Sequence, residues 1–152
     1  DSAIQPLIPA LQNSFWLTIH VNFCIFSYAA FLLSFLAGLA FLAGGKISFP
    51  VSQEPLDDLG YQTIAVGYPF LTLGVITGAV WAEQAWGGYW SWDPKETWSL
   101  ITWIIYSIYL HVRLTVGWRG VRTAWLSVGG FAAVLFKWFG VNYILSGLHS
   151  YG

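Results

Sequence analysis

Between Asp1 and Lys46 the chain has no Lys, Arg, Asp or Glu; the same holds from Leu59 to Ala82 and from Thr97 to Val112, and Lys137 is the only one after Arg122. A helix of about 20 apolar residues, rising about 1.5 Å per residue, crosses a hydrocarbon core of about 30 Å. The gaps therefore read as membrane spans, and the expected fold is an all-α polytopic transmembrane bundle. Four spans are drawn, at about 14–45, 60–85, 95–117 and 121–147, forming a single membrane domain over residues 1–152. Residues 46–59, with two Pro and several polar residues, form a loop, and residues 117–120 a tight turn. Only 9% of the residues are charged, against roughly 25% in a soluble domain, which leaves too little to cover a water-facing surface.

Several function classes fall away. A formal charge of −1, with the few cations in loops, gives no basic patch for nucleic acid, and membrane lipid is the expected surrounding. The single Cys24 lies inside a span, so there is no disulfide framework, no CxxC pair and no zinc signature, and redox work is assigned to another protein. The sequence contains no Met, and residues 1–9 have no signal-peptide pattern. The chain is accordingly expected to be a processed product or part of a longer polypeptide. Lys46 lies in one loop and Arg113, Arg119 and Arg122 flank another on the same side. The positive-inside bias makes that side the inner one. Residues 86–98 and both chain ends then face the outer compartment.

Residues 86–98, WGGYWSWDPKETW, gather four Trp and a Tyr in one glycine-opened bend. Interfacial belts account for isolated tryptophans such as Trp118 or Trp125. They do not account for Trp86, Trp90 and Trp92 in a single turn, which calls for a large, flat, apolar partner, with haem the leading candidate. Within the bend, Asp93, Pro94 and Glu96 have the pattern of a helix start: an N-cap, a first-turn proline and a capping-box acid. Lys95 and Glu96, without a nucleophile, phosphate loop or metal triad, give little signal for acid/base catalysis.

The histidines fall at two depths. Counting about 20 residues back from Gly44 places His20 about 6 Å above the outer hydrocarbon edge, and counting forward from Arg122 places His149 beyond the same edge. Two imidazoles beside one aromatic surface suit axial ligation of haem iron, whereas a lone histidine reads as a hydrogen-bonding residue. Trp16 shares a helix face with His20, and Asn142 with His149 if the last helix continues. His111 lies near the inner leaflet, where an ionisable group is a functional suspicion that needs a partner from elsewhere. Lys137 would cost about 2.5–3.5 kcal/mol if centred in lipid. It is expected to snorkel to the outer interface, with pairing to a carboxylate of a bound ligand as the alternative. The GVITG run at 74–78 has small-xxx-small spacing for helix packing, and Pro69 is expected to bend its span.

Six segments in order, PALQ from Pro9, WLTIHV from Trp16, LDDLGYQTIAVGYP from Leu56, WGGYWSWDPKETWSLITW from Trp86, YLHVR from Tyr109 and GVNYILSGLHSYG from Gly140, resemble one family. This is the group of haem-handling proteins with a tryptophan-rich WWD motif, and within it the CcsA (ResC) cytochrome c biogenesis proteins of bacteria and chloroplasts. The KETW and YLH continuations are closer to these than to the related CcmC and CcmF proteins. The resemblance implies that His20 and His149 are the outer axial ligands of haem b. It places Trp86, Trp90, Trp92 and Asp93 in the haem-presenting motif, and His111 at an inner haem site whose partner ligand lies outside this chain. It further implies a cytochrome c synthase component of the haem lyase type, acting with a CcsB/ResB partner on apocytochrome c CxxCH. A thioredoxin-like thiol reductant would serve it. The location would be a bacterial plasma membrane or a thylakoid membrane, with the WWD loop on the periplasmic or lumenal side. Lys137 departs from the uncharged residues of the family at this position. Two other readings stand beside this one: a CcmC-like carrier that passes haem to a chaperone, and a small-solute transporter whose tryptophans are only interfacial.

Overall fold

The computed structural model describes residues 14–44 and 53–140. Helix α1 is Ser14–Gly44, α2 is Gln53–Trp86 and α3 is Pro94–His111, which runs into a π-helical turn at Val112–Val116. Helix α4 is Val121–Leu135, followed by a second π-helical turn at Phe136–Gly140. Among the described residues three segments, Phe15–Gly44, Gln53–Trp86 and Pro94–Val116, are long and apolar enough to cross a membrane, with mean hydropathies of 2.1, 1.6 and 1.3. Only part of the expected fourth span, 121–147, falls within the described residues, as α4 and its π-turn.

Helix α2 starts seven residues before the expected position 60. Pro55 stands in its first turn, where a missing N–H costs no intrahelical bond, and Gln53 Nε2 donates to the Phe41 carbonyl at 2.7 Å, closing the corner with α1. The helix then runs unbroken through Pro69 to Trp86.

The most extensive interface joins α1 and α2; α4 packs on α1 and on α3. On α2 the buried positions are Gly60, Ile64, Gly67, Leu71, Gly74, Thr77, Trp81 and Ala82. From Gly60 to Gly74 the steps alternate between four and three, the seam of a coiled coil, and threes and fours continue to Trp81. The glycines let α1 side chains approach the α2 backbone. A Cβ at Gly67 would lie 2.8 Å from Phe31, one at Gly74 would lie 3.0 Å from Cys24 Sγ, and one at Gly78 would lie 2.7 Å from His20. Residues 74–78 therefore do pack helix on helix, and what they seat is Cys24 and His20.

Beyond this seam, Phe31 stacks on Tyr106 with ring centroids 3.8 Å apart, both fully buried, and Ile64, Leu71, Tyr109, Phe131 and Val134 complete the core. Interhelical hydrogen bonds run through it. Ser127 Oγ donates to the Ser34 carbonyl at 2.8 Å, so the Ser34 hydroxyl is the donor in the 2.6 Å contact between the two Oγ atoms. Trp103 Nε1 donates to Thr72 Oγ1 at 3.0 Å, joining α3 to α2. Outside, large apolar groups such as Phe15, Ile25, Phe26, Val66, Ile76 and Trp125 are exposed. A bundle apolar on its inner and outer faces is suited to lipid.

Candidate functional site

The loop from α2 to α3 is fixed by the start of α3. Asp93 is the N-cap, its carboxylate accepting from the Lys95 N–H at 3.1 Å, and Pro94 opens the helix. Glu96 Oε2 reaches back to the N–H groups of Asp93 at 3.2 Å and Ser91 at 2.8 Å, and accepts from the Ser91 hydroxyl at 3.2 Å. Both acids are buried, their charge offset by backbone donors at the positive end of α3. The helix-start reading of Asp93, Pro94 and Glu96 is what the structure has. At the other end of the loop, Gly87 takes φ +82, which suits a glycine. Trp92 holds φ +58, the one non-glycine positive φ among the described residues, and is 66% exposed. Such a conformation persists only where the surroundings impose it, and here the capping box begins at the next residue.

Beside this loop, between α1, α2, the start of α3 and the second π-turn, lies a cavity of about 350 Å³. Its apolar wall includes Val21, Ile25, Leu71 and Val75, and its aromatic wall Trp81, Tyr89, Trp90 and Trp138. His20, Cys24, Tyr28, Lys95, Glu96 and Lys137 supply polar atoms. The volume falls within the roughly 300–1,000 Å³ of small-molecule and cofactor sites.

His20 is held in a defined orientation. Its Nδ1 lies 2.7 Å from the Gly74 carbonyl, which can only accept, so Nδ1 carries a proton and, in the neutral ring, the lone pair is on Nε2. The ring lies parallel to Trp81, 10° between planes with centroids 6.4 Å apart, and sits against Gly78. A neutral imidazole whose second nitrogen donates to a carbonyl is oriented for metal ligation. Cys24 Sγ is 3.7 Å from Nδ1 one turn further along α1.

The residues singled out from the sequence are distributed unevenly. His20 and Trp90 line the cavity. Trp86 packs edge-on against Trp81 with centroids 4.8 Å apart, and Trp92 packs edge-on against Trp90 at 5.5 Å and faces outward. Asp93 supports the loop from below. Trp16 packs against Phe15. His111 is exposed at the end of α3, about 22 Å along the helix axis from Glu96, which separates it from this cavity. His149 and Asn142 lie outside the described residues.

Lys137 corrects an expectation. It does not snorkel outward but donates from Nζ to Tyr28 Oη at 2.6 Å, at the cavity wall. The π-turn that carries it adds a residue to the helix and so rotates the next positions by about 100°. Trp81, Tyr28 and Trp138 are wall residues that sequence reasoning passed over. Tyr28 was accessible through spacing, since His20, Cys24 and Tyr28 recur every four residues on α1. Trp81 stands on the coiled-coil seam of α2. Trp138 comes just after Lys137 in a π-turn that has no sequence signature.

A helical bundle of membrane character, with an aromatic-walled cavity around one oriented imidazole, is the class of protein this geometry defines. The sequence of residues 2–149 matches the family described as Cytochrome C assembly protein, and the chain belongs to that family. It is 49% identical to Cytochrome c biogenesis protein CcsA of Chlamydomonas reinhardtii, over 97% of this chain and 43% of the relative. It is 43% identical to the proteins of that name from Guillardia theta and from Synechococcus sp. (strain RCC307), in each case over 97% of this chain and 57% of the relative. The chain thus spans about half the length of the curated relatives it matches.

Proposed function

We propose that this chain is the haem-presenting part of a cytochrome c assembly protein, holding haem b at the outer membrane face for attachment to apocytochrome c. The observation that carries the proposal is His20: an imidazole with its tautomer set by the Gly74 carbonyl, at the wall of an apolar cavity that Trp90 of the tryptophan-rich loop also lines. These residues fit haem. The iron needs an axial nitrogen, the macrocycle needs flat apolar walls, and both are present. Membership of the assembly family supports the same reading.

In this proposal His20 and His149 are the two axial ligands, and the chain crosses the membrane four times with residues 86–98 outside. Haem is the cargo, and the thiols of an apocytochrome CxxCH motif add across its vinyl groups. The chain's own contribution is placement. His20 fixes one face, the tryptophans exclude water, and the capping box of Asp93 and Glu96 keeps the loop from relaxing away. His111 belongs to a separate inner site on the path of the cargo, completed by a ligand from the rest of the protein. A CcsB/ResB-type partner, a thiol reductant and a plasma or thylakoid membrane complete the assignment.

The test is an absorption spectrum of the detergent-purified full-length protein, oxidised and reduced, with the His20→Ala, His149→Ala double variant beside it. A low-spin bis-histidine spectrum that is lost or altered in the variant is the expected result. A native protein without pigment across several preparations would remove the proposal and favour a solute transporter with interfacial tryptophans.

A further inference from the structure

Lys137 is the residue to which axial ligation and loop placement give no task. A lysine within a span is costly, and such residues are retained where they face the bundle interior or a cavity and find a partner there. Lys137 faces the cavity, and its contact is a phenol: Tyr28 Oη at 2.6 Å, with Nζ 5.3 Å from the ring centroid. No salt bridge among the described residues includes it. The carboxylate on the same cavity wall, Glu96, accepts three hydrogen bonds from Ser91 and Asp93 and is committed to the start of α3. Lys95 also lines the cavity, whose remaining wall is mostly aliphatic and aromatic, with Cys24 and Ser99 the other polar side chains.

An ammonium has three donors, and Tyr28 takes one of them. The phenol also restricts where Nζ can sit, at one side of a cavity whose imidazole comes from two turns earlier on the same helix, His20 to Tyr28 being eight residues or about 12 Å. A ligand that satisfies both groups has a metal centre for His20 and an acid group at its edge for Lys137.

We propose that Lys137, positioned by Tyr28, binds a propionate carboxylate of the haem and so sets which edge of the macrocycle points into the cavity. This rests on the haem reading of the site. Fixing the propionate edge orients the vinyl edge in turn, so Lys137 is a positioning residue and acts on orientation rather than on bond making.

The experiment compares binding of haem b and of its dimethyl ester, in which both propionates are methylated, to the full-length protein in detergent. Native protein is expected to bind the acid roughly ten- to hundredfold more tightly than the ester, the range for a hydrogen bond between charged groups. Lys137→Gln should bring acid binding down to the level of the ester while leaving ester binding unchanged. Lys137→Arg should restore most of the difference, and Tyr28→Phe should lose part of it. Equal affinity of native protein for acid and ester overturns the proposal, as does an equal loss for both ligands in Lys137→Gln, which would make the lysine structural. So does an anionic phospholipid that copurifies with native protein, is lost in Lys137→Gln and leaves no acid preference. In these cases the bis-histidine spectrum persists, whereas failure of the haem reading itself appears as no spectrum with either ligand.

Discussion

At the scale of single residues, the site depends on a close approach that only glycine permits. A Cβ on residue 78 would fall 2.7 Å from His20 Cε1 and 2.8 Å from Nδ1, inside any real contact. The imidazole would have to swing away from the Gly74 carbonyl that sets its tautomer. Gly78→Ala is therefore expected to lower haem affinity roughly ten- to hundredfold, the usual consequence of losing a ligand's supporting bond. Gly129→Ala, where a Cβ meets nothing within 4 Å, should leave affinity unchanged. Titration of both variants by absorbance decides the matter, and a Gly78→Ala protein with native affinity would mean that His20 is not held as described. Much of this site was legible in the sequence. His20, the tryptophan-rich bend and the Asp93, Pro94, Glu96 start all come from residue type and spacing. What was not legible is where a loop sends its side chains. The bend's composition suggests one aromatic surface, but the positive φ at Trp92 turns that ring outward while Trp90 turns in, and Trp81, five residues before the bend, contributes instead.

At the scale of elements, the start of α3 governs the loop. Three donors converge on Glu96 Oε2 and the Lys95 N–H binds Asp93, so residues 91–96 are held by cap hydrogen bonds rather than by burial of Trp92. Removing an N-cap costs about 1 kcal/mol, and Asn replaces Asp at that position almost without loss. Asp93→Ala should thus lower the unfolding midpoint in detergent and loosen haem retention, while Asp93→Asn should keep both near native. If Asn were as damaging as Ala, the negative charge of Asp93 would have a role toward ligand or partner beyond capping. Three of the four expected spans were readable, because a gap in charge marks a helix apolar enough to cross a membrane. Their ends were less so, since Pro55 in the first turn of α2 is as compatible with a helix as with the loop expected there. The two π-turns leave no periodic mark in the sequence.

At the scale of the whole molecule, the two ends of the bundle are built on different physics. The loop end encloses an apolar space with few polar links across it. The other end is closed by charge: Asp57, from the start of α2, accepts from Arg113 Nη1 at 2.7 Å, from the Gly120 N–H at 3.0 Å and from Thr123 Oγ1 at 3.2 Å. One carboxylate thereby joins α2 to the turn between α3 and α4 and satisfies a donor at the start of α4, where Gly117 and Gly120 take positive φ. Arg113 also binds Asp58 at 3.1 Å, and its side chain is 3% exposed against 9% for Asp57. Removing one partner of a buried pair strands the other charge, at a cost of about 3–5 kcal/mol. Arg113→Met should accordingly destabilise the protein strongly in thermal unfolding, and Asp57→Asn in the same chain should recover part of the loss by removing the stranded charge. Arg119→Ala, which breaks only the exposed 3.5 Å contact to Asp58, should cost about 0–1 kcal/mol. Arg113 lies 17 residues beyond Glu96, about 25 Å along the axis, so the haem spectrum of the folded fraction should be unchanged in all three variants. An Arg113→Met protein of native stability with an altered spectrum would reverse the assignment, making the charged end part of the ligand path rather than the clamp that joins α2 to α3 and α4 while the opposite end holds its cavity open.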